Sequence, residues 1–380
     1  VIYWQIYVNL NILYCKYSIN CAIFCAIYAV WILKNKILLE KNNATLKDIA
    51  ALLNISISTV SRALKSHPRI SESTQQLVKL KAKQMGYVSV DTLEESQIKK
   101  NSNLIGVIIP KISYHLYAMA ISGIESIAET HGMHIIVCQS NESYEREKSL
   151  VKELISAGVN GIIASLASET KDFSHFSELK KAGIPLVFFN RECNDIVTHK
   201  VTIDNKRAAY EAVSHLISIG CRRIAYIGGP EILQINADRV EGYKKALKDY
   251  NLEVPKDYLV YSNFDKESTL SAARKLLYSP EHPDGVLTFS DQLAINVMLA
   301  AKERGIAIPN KLSLIGFNNE PVGELLEPSL TSIDQPGFRM GEEAAQLLLK
   351  QLDNFNNAYE KKILKSFLIV RESTNKNKIE

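Results

Sequence analysis

After Asn103 short apolar runs alternate with amphipathic stretches, and this alternation restricts the fold more than any other feature of the chain. The runs LIGVIIP, HIIVCQS, GIIASLA, PLVFFN, RIAYIGG, YLVYSNF, GVLTFS and LSLIGFN are bounded by Gly, Pro, Ser or Asn and read as buried parallel strands. Between them, residues 121–131, 144–157, 206–219, 237–250, 266–278, 292–304 and 338–352 set polar residues opposite an apolar stripe, the pattern of helices packed on a sheet. Repetition of this kind builds a doubly wound α/β sheet, and the stretch is long enough for two lobes. Ligands of such sheets bind beyond the carboxyl ends of the strands. The candidates there are Tyr114, Leu116 and Tyr117 after the first run, Asn190 and Arg191 after FF, Arg239 in NADRVEGY, Phe264, and Asp291 in FSDQ. Two of them have purely structural readings as well: Arg191 as an ion pair with Glu192 or Asp195, and Asp291 as a helix N-cap.

Residues 44–88 follow a different grammar. Thr45 with Asp48 three residues on forms a capping box ahead of the stripe Leu46, Ile49, Ala50 and Leu53. Asn54 suits the left-handed conformation that ends a helix, and Ser56 is placed to cap a second one through Thr59, Val60, Ala63 and Leu64. Ser71 or Ser73 caps a third, with Leu77, Leu80 and Met85 inward and Gly86 as the stop. Two short helices around one tight turn make a helix-turn-helix, whose second helix lies in the major groove of DNA. The base-reading candidates are then Ile57, Ser58 and Arg62, with the Arg62 fork suited to guanine and Ile57 to a thymine methyl. Thr45, Ser56, Thr59 and Ser61, with the helix N-termini, are placed for phosphates. Charge agrees: residues 41–87 hold eight basic residues against Asp48 and Glu72, a net of +6 in a chain whose total is +4. A basic unit joined to a mildly acidic body fits a phosphate-binding head on a sensor; a protein-docking bundle is the competing reading.

The string TLKDIAxLxxISxSTVSRAL, continued by RISExTxxxVxxxAxxxGY, resembles the head of the LacI/GalR family of bacterial transcriptional regulators, and the likeness extends over nearly all of residues 44–373. The resemblance implies a helix-turn-helix head of all-α structure, a hinge linker over 89–103, and a two-lobed α/β effector and dimerisation domain over 104–380, like periplasmic binding proteins, with parallel sheets. Its lobes are joined by three crossings; the first is placed at 104–204 plus 316–333. Arg239 and Asp291 match positions that hydrogen-bond the effector in that family. Such donors and acceptors suit a sugar, with Phe264 or Tyr117 stacked on its apolar face. The implied partners are double-stranded operator DNA, a small effector, a second copy of the chain and, as in some relatives, a phosphorylated carrier protein. Repression is the expected mode and the cytoplasm the expected compartment. Two departures stand out. The usual Ala-Gly before the turn is Leu53-Asn54, and the linker VSVDTLEESQIKKNSN lacks the Pro-Asn and the groove-wedging Leu of the family, leaving Leu93 or Ile98 in its place.

Residues 1–43 form an apolar extension. Tyr17 to Leu33 is uncharged between Lys16 and Lys34, which reads as a membrane anchor or, the preferred reading, as translated non-coding sequence ahead of a start at Leu38 or Leu39. Six cysteines, none in a CxxC pair or near His at ligand spacing, predict a reducing compartment and no metal. GGPE at 228–231 is not a dinucleotide loop, and GxSxG, HExxH and GxxxxGK followed by Ser or Thr do not occur, so neither catalytic residues nor a cofactor are expected. An exported sugar-binding protein, and after it an enzyme on the same α/β frame, are the alternatives.

Overall fold

Local capping builds the head. Asp48 Oδ2 accepts the Thr45 amide at 2.7 Å while Thr45 Oγ1 accepts the Asp48 amide at 3.4 Å, and α1 (Leu46–Leu53) starts there. Asn54 ends it at φ 52°, ψ 44°. Ser56 Oγ accepts the Thr59 amide at 3.1 Å to open α2 (Ile57–Leu64), and Ser71 Oγ, rather than Ser73, accepts that of Thr74 at 3.4 Å to open α3 (Glu72–Gln84). The core is Ile49, Ala50, Val60, Ala63, Val78 and Ala82, ringed by residues that include Leu46, Leu53, Leu64 and Met85. Leu77 and Leu80 do not point inward as expected; both stand about half exposed, and Val78 and Ala82 fill the place. Apolar residues in α3 are interleaved with lysines and admit more than one stripe, and three short helices meeting closely select the smaller side chains.

The computed structural model describes residues 45–64, 67, 69–85, 102–354 and 358–375. The 1–43 extension, Gly86 and the linker up to residue 101, with Leu93 and Ile98, lie outside the described residues. The chain divides into two units, 1–97 and 98–380.

In the second unit β1 (Leu104–Ile109), β2 (His134–Gln139), β3 (Gly161–Ala164), β4 (Leu186–Phe189), β5 (His199–Ile203) and β11 (Lys361–Leu364) form a parallel sheet in the order β11-β5-β4-β3-β1-β2. A second sheet orders β12 (Phe367–Ile369), β10 (Thr331–Asp334), β9 (Ser313–Phe317), β8 (Gly285–Thr288), β6 (Ile224–Gly228) and β7 (Leu259–Tyr261); only β12 runs antiparallel. Helices α4 (His115–Thr130), α5 (Tyr144–Ser156), α6 (Ser174–Ala182) and α12 (Gly337–Asp353) serve the first sheet. The second has α7 (Asn205–Ser218), α8 (Gln234–Asp249), α9 (Lys266–Leu277), α10 (Asp291–Arg304) and the single turn α11 (Val322–Leu325).

All eight expected strands form. The runs in β2 and β7 are half-buried rather than buried, because each lies at a sheet edge. The chain crosses between the lobes three times, at 204, at 335–336 and at 365–366. The placement of 316–333 in the first lobe is corrected by these crossings. β9 and β10 belong to the second sheet, and what returns to the first is α12, packed on α4 and on β3 to β5, with β11.

Candidate functional site

Two sites follow, one in each unit. On α2, Val60 and Ala63 are buried, which turns Ile57, Ser58 and Arg62 outward within about 140° of arc. Ile57 is 43% exposed, large for an aliphatic side chain in so small a core. The Arg62 side chain, also exposed, makes no hydrogen bond or ion pair among the described residues. Ser56 Oγ lies 2.8 Å from both Ser58 Oγ and Thr59 Oγ1, so these hydroxyls share one small network at the helix start. Thr59 and Ser61 are half-buried, and the Thr45 hydroxyl is committed to Asp48 Oδ2 at 2.7 Å. Lys47 and Arg69 add exposed cations. The surface therefore offers an aliphatic group, a hydroxyl and an unpaired guanidinium side by side, the kinds of group that read base edges.

In the second unit a cavity of about 270 Å³ opens between the two lobes. Tyr114, Leu116, Tyr117, Asn190, Arg191, Arg239 and Phe264, all chosen from their positions after strands, line it together. On the first-lobe side the Tyr117 hydroxyl lies 3.0 Å from Ser165 Oγ and accepts Asn190 Nδ2 at 3.0 Å. Arg191 is buried and forks onto Glu142, with Nη1 and Nη2 donating at 2.7 and 3.1 Å. That partner replaces the expected Glu192 or Asp195. Burial alone would raise the Glu142 carboxyl, but the Arg191 guanidinium and the Ser168 amide hold it below its ordinary value.

On the second-lobe side Arg239 is 1% exposed. Its Nε donates to Asn205 Oδ1 at 2.9 Å and its Nη1 to the Phe289 carbonyl at 2.6 Å, while the guanidinium lies 3.6 Å from the Phe317 ring centre and 4.6 Å from that of Phe289. Burial first, with the nearby Arg191 adding to it, lowers its pKa to about 10, still protonated at neutral pH. Phe264 stands at φ 65°, a conformation that costs an aromatic residue of order 1–3 kcal/mol, and reaches across to 5.2 Å from the Arg191 guanidinium. Gly229 makes room for it: a Cβ there would come within 2.3 Å of the Phe264 ring.

Asp291 departs from expectation. It is fully buried and does not line the cavity. The N-cap of α10 is Ser290, whose Oγ accepts the Leu293 amide at 3.4 Å. Asp291 instead accepts Ser332 Oγ and the Glu320 amide, each at 2.6 Å, and a Cβ on Gly316 would lie 1.9 Å from its Oδ1. It fastens the segment after β9 to β10 from behind the cavity wall. Burial pushes its pKa up to about 7 against the pull of those hydrogen bonds.

The cavity also takes in residues that the strand-end rule did not select. Lys111, Lys266, Gln292, Asn296, Glu320 and Gln335 all line it, with Gln292 Nε2 donating to Glu320 Oε2 at 2.6 Å. Gln292 and Asn296 lie one turn apart at the start of α10, a spacing that the sequence displays. Glu320 and Gln335 follow β9 and β10, and the sequence of β10, TSID, has no apolar run to mark it as a strand. Among the described residues no group of His, Cys, Asp and Glu is placed to hold a metal ion, and no helix is long and apolar enough to cross a membrane.

Residues 45–89 match the model for bacterial regulatory proteins of the lacI family, and residues 213–374 that for a periplasmic binding protein-like domain. Catabolite control protein A of Priestia megaterium is 34% identical over 82% of the chain and 93% of its own length. The HTH-type transcriptional repressor CytR of Escherichia coli is 31% identical over 88% of the chain and 97% of its own length. Among solved structures, a complex of the transcriptional regulator CelR with cellobiose superposes with a TM-score of 0.67 at 26% identity, covering 87% of the chain and 99% of its own.

Proposed function

Because the chain belongs to the LacI family of bacterial transcriptional regulators, we propose that it acts as a repressor in the cytoplasm, bound as a homodimer to a two-fold operator through Ile57, Ser58 and Arg62. The observation that carries this reading is the outward triplet on α2, held there by the Ser56 cap and the buried Val60 and Ala63. One head presents few base contacts, and a pair spaced by one helical turn of DNA supplies the rest. The phosphates fall to the α1 and α2 N-termini and to exposed Lys47 and Arg69.

A small polyhydroxylated ligand in the inter-lobe cavity sets operator affinity. Cellobiose is the ligand of one structural relative. At about 270 Å³ the cavity lies just below the usual range for small-molecule sites, roughly 300–1,000 Å³, which favours a single sugar ring over a disaccharide. Ligand contacts that span Arg191 and Phe264 bias the lobes, and the bias reaches DNA as a coupling of roughly 1–3 kcal/mol, 5–150-fold in affinity. No step here calls for a nucleophile or a metal, so the body serves as a sensor and not as an enzyme.

The test is selection of bound duplexes from a random pool with the full chain, followed by titration of the selected duplex with and without single sugars. A palindromic consensus whose affinity shifts at least fivefold with one sugar is expected. Failure to enrich any sequence would overturn the proposal.

A further inference from the structure

After β9 two asparagines stand side by side at positive φ, Asn318 at 98° and Asn319 at 50°. Conformations of this kind are costly away from glycine and persist where the surroundings over-determine them. The turn sets Asn318 and Glu320 in the cavity wall, while Asn319 between them does not line the cavity.

The turn is fixed by hydrogen bonds to the chain at two of the three lobe crossings. Asn318 Oδ1 accepts Nε2 of Gln335, which lies in the second crossing, at 2.6 Å. Asn319 Nδ2 donates to Oδ1 of Asp334, the residue before that crossing, at 3.0 Å, and its backbone amide donates to Ser332 Oγ at 3.0 Å. Asn319 Oδ1 accepts Arg371 Nη2 at 2.8 Å, and Arg371 follows β12, the strand that enters from the third crossing. Arg371 is itself held, with its side chain 12% exposed and Nη1 donating to the Leu330 carbonyl at 2.9 Å. Its pair with Glu324 adds little, because that carboxylate is 65% exposed. Both ends of the Asn319 carboxamide are thus used, one on each crossing strand.

We infer that Asn319 is a positioning residue of the effector response. It joins the cavity wall to the strands at the second and third crossings, so that a ligand engaging Asn318 or Glu320 biases how the lobes turn about those crossings. The inference rests on the proposal above that the cavity holds the effector. Domain rotation is absorbed by a few residues between the moving bodies, and here those residues are bonded to the wall that meets the ligand. Without the ties a ligand is still held, but it no longer distinguishes one arrangement of the lobes from another, and a ligand that does not distinguish two states shifts neither.

The experiment measures the affinity of the full chain for the selected duplex, well below its melting temperature, with and without saturating glucose, galactose or ribose, alongside calorimetric binding of the same sugars. Wild type is expected to shift at least fivefold with one of them. Asn319→Gly keeps the positive φ and removes only the side chain; it should still bind that sugar and the duplex, with the shift reduced to less than about twofold. Asn319→Asp sets a carboxylate against Asp334 and should lose the shift likewise. The double variant Asn319→Asp/Asp334→Asn restores the bond with donor and acceptor exchanged and should recover the shift to within about twofold of wild type. A merely structural role would lower the melting temperature of the single variants and leave the shift intact. A full shift in Asn319→Gly, or no recovery in the double variant, would overturn the inference while sensing by the cavity stands. No shift of the wild type by any of the three sugars would instead remove the reading on which the inference rests, and the inference with it.

Discussion

The reading helix of the head exposes its arginine, and the cavity of the body buries the two that line it. Among the described residues Arg62 stands in solvent without a hydrogen-bond or ion-pair partner, whereas Arg191 and Arg239 are closed into the walls of a cavity, the first paired to Glu142 and the second to no carboxylate. An exposed guanidinium stays hydrated at little cost until a partner arrives, which suits recognition of a long polyanion by a surface. A buried one must be compensated in place, and how it is compensated records what the site is built to receive.

The largest expected effect breaks the paired wall. Glu142→Gln leaves Arg191 buried without its carboxylate and is predicted to lower stability by about 3 kcal/mol in urea melts. Removal of the Arg62 side chain, which has no partner among the described residues, should leave the same melts unchanged.

The next effect separates the regions by pH. The folded-state pKa of Asp291 is raised to about 7 from 3.8, so its contribution to stability is fully present below the unfolded value and is lost as pH rises through the folded one. Stability of the wild-type body should therefore fall, relative to Asp291→Asn, between about pH 4 and pH 7, read as the difference between two denaturation series; parallel curves would contradict the burial assigned to Asp291. The exposed Asp48 has its pKa lowered by its hydrogen bonds with Thr45, so the head carries the opposite trend: its capping box is present above the unfolded pKa and is lost on acidification.

The smallest effect sharpens the head. Asn54→Ala, at φ 52°, is predicted to cost about 1 kcal/mol, and Asn54→Gly to be nearly neutral, both read from thermal melts.

These differences also explain what could be read in advance. Thr45, Asp48, Asn54 and Ser56 act on neighbours three or four residues away, so their roles are written in local order. The strand-end rule likewise brought Tyr114, Asn190, Arg239 and Phe264 to one cavity, because a parallel sheet sets all its carboxyl ends on one side. It failed where the decisive partner is remote. Glu142 meets Arg191 across 49 residues, and Asp291 was drawn behind the wall by Gly316 and Ser332, the latter on a strand whose sequence TSID has no apolar run. The return of the chain to the first lobe is hidden for a similar reason: β11, with the sequence KKIL, carries two lysines and is recognised only beside β5.

The most direct test of the account is a gel-shift titration of full-length wild type and Arg62→Ala on the selected duplex and on duplexes with each guanine of the half-site replaced. Wild type should lose about 1–3 kcal/mol at one guanine, and Arg62→Ala should bind more weakly and no longer distinguish that position. Equal affinity and unchanged base preference in the two proteins would contradict the assignment of α2 as the reading helix.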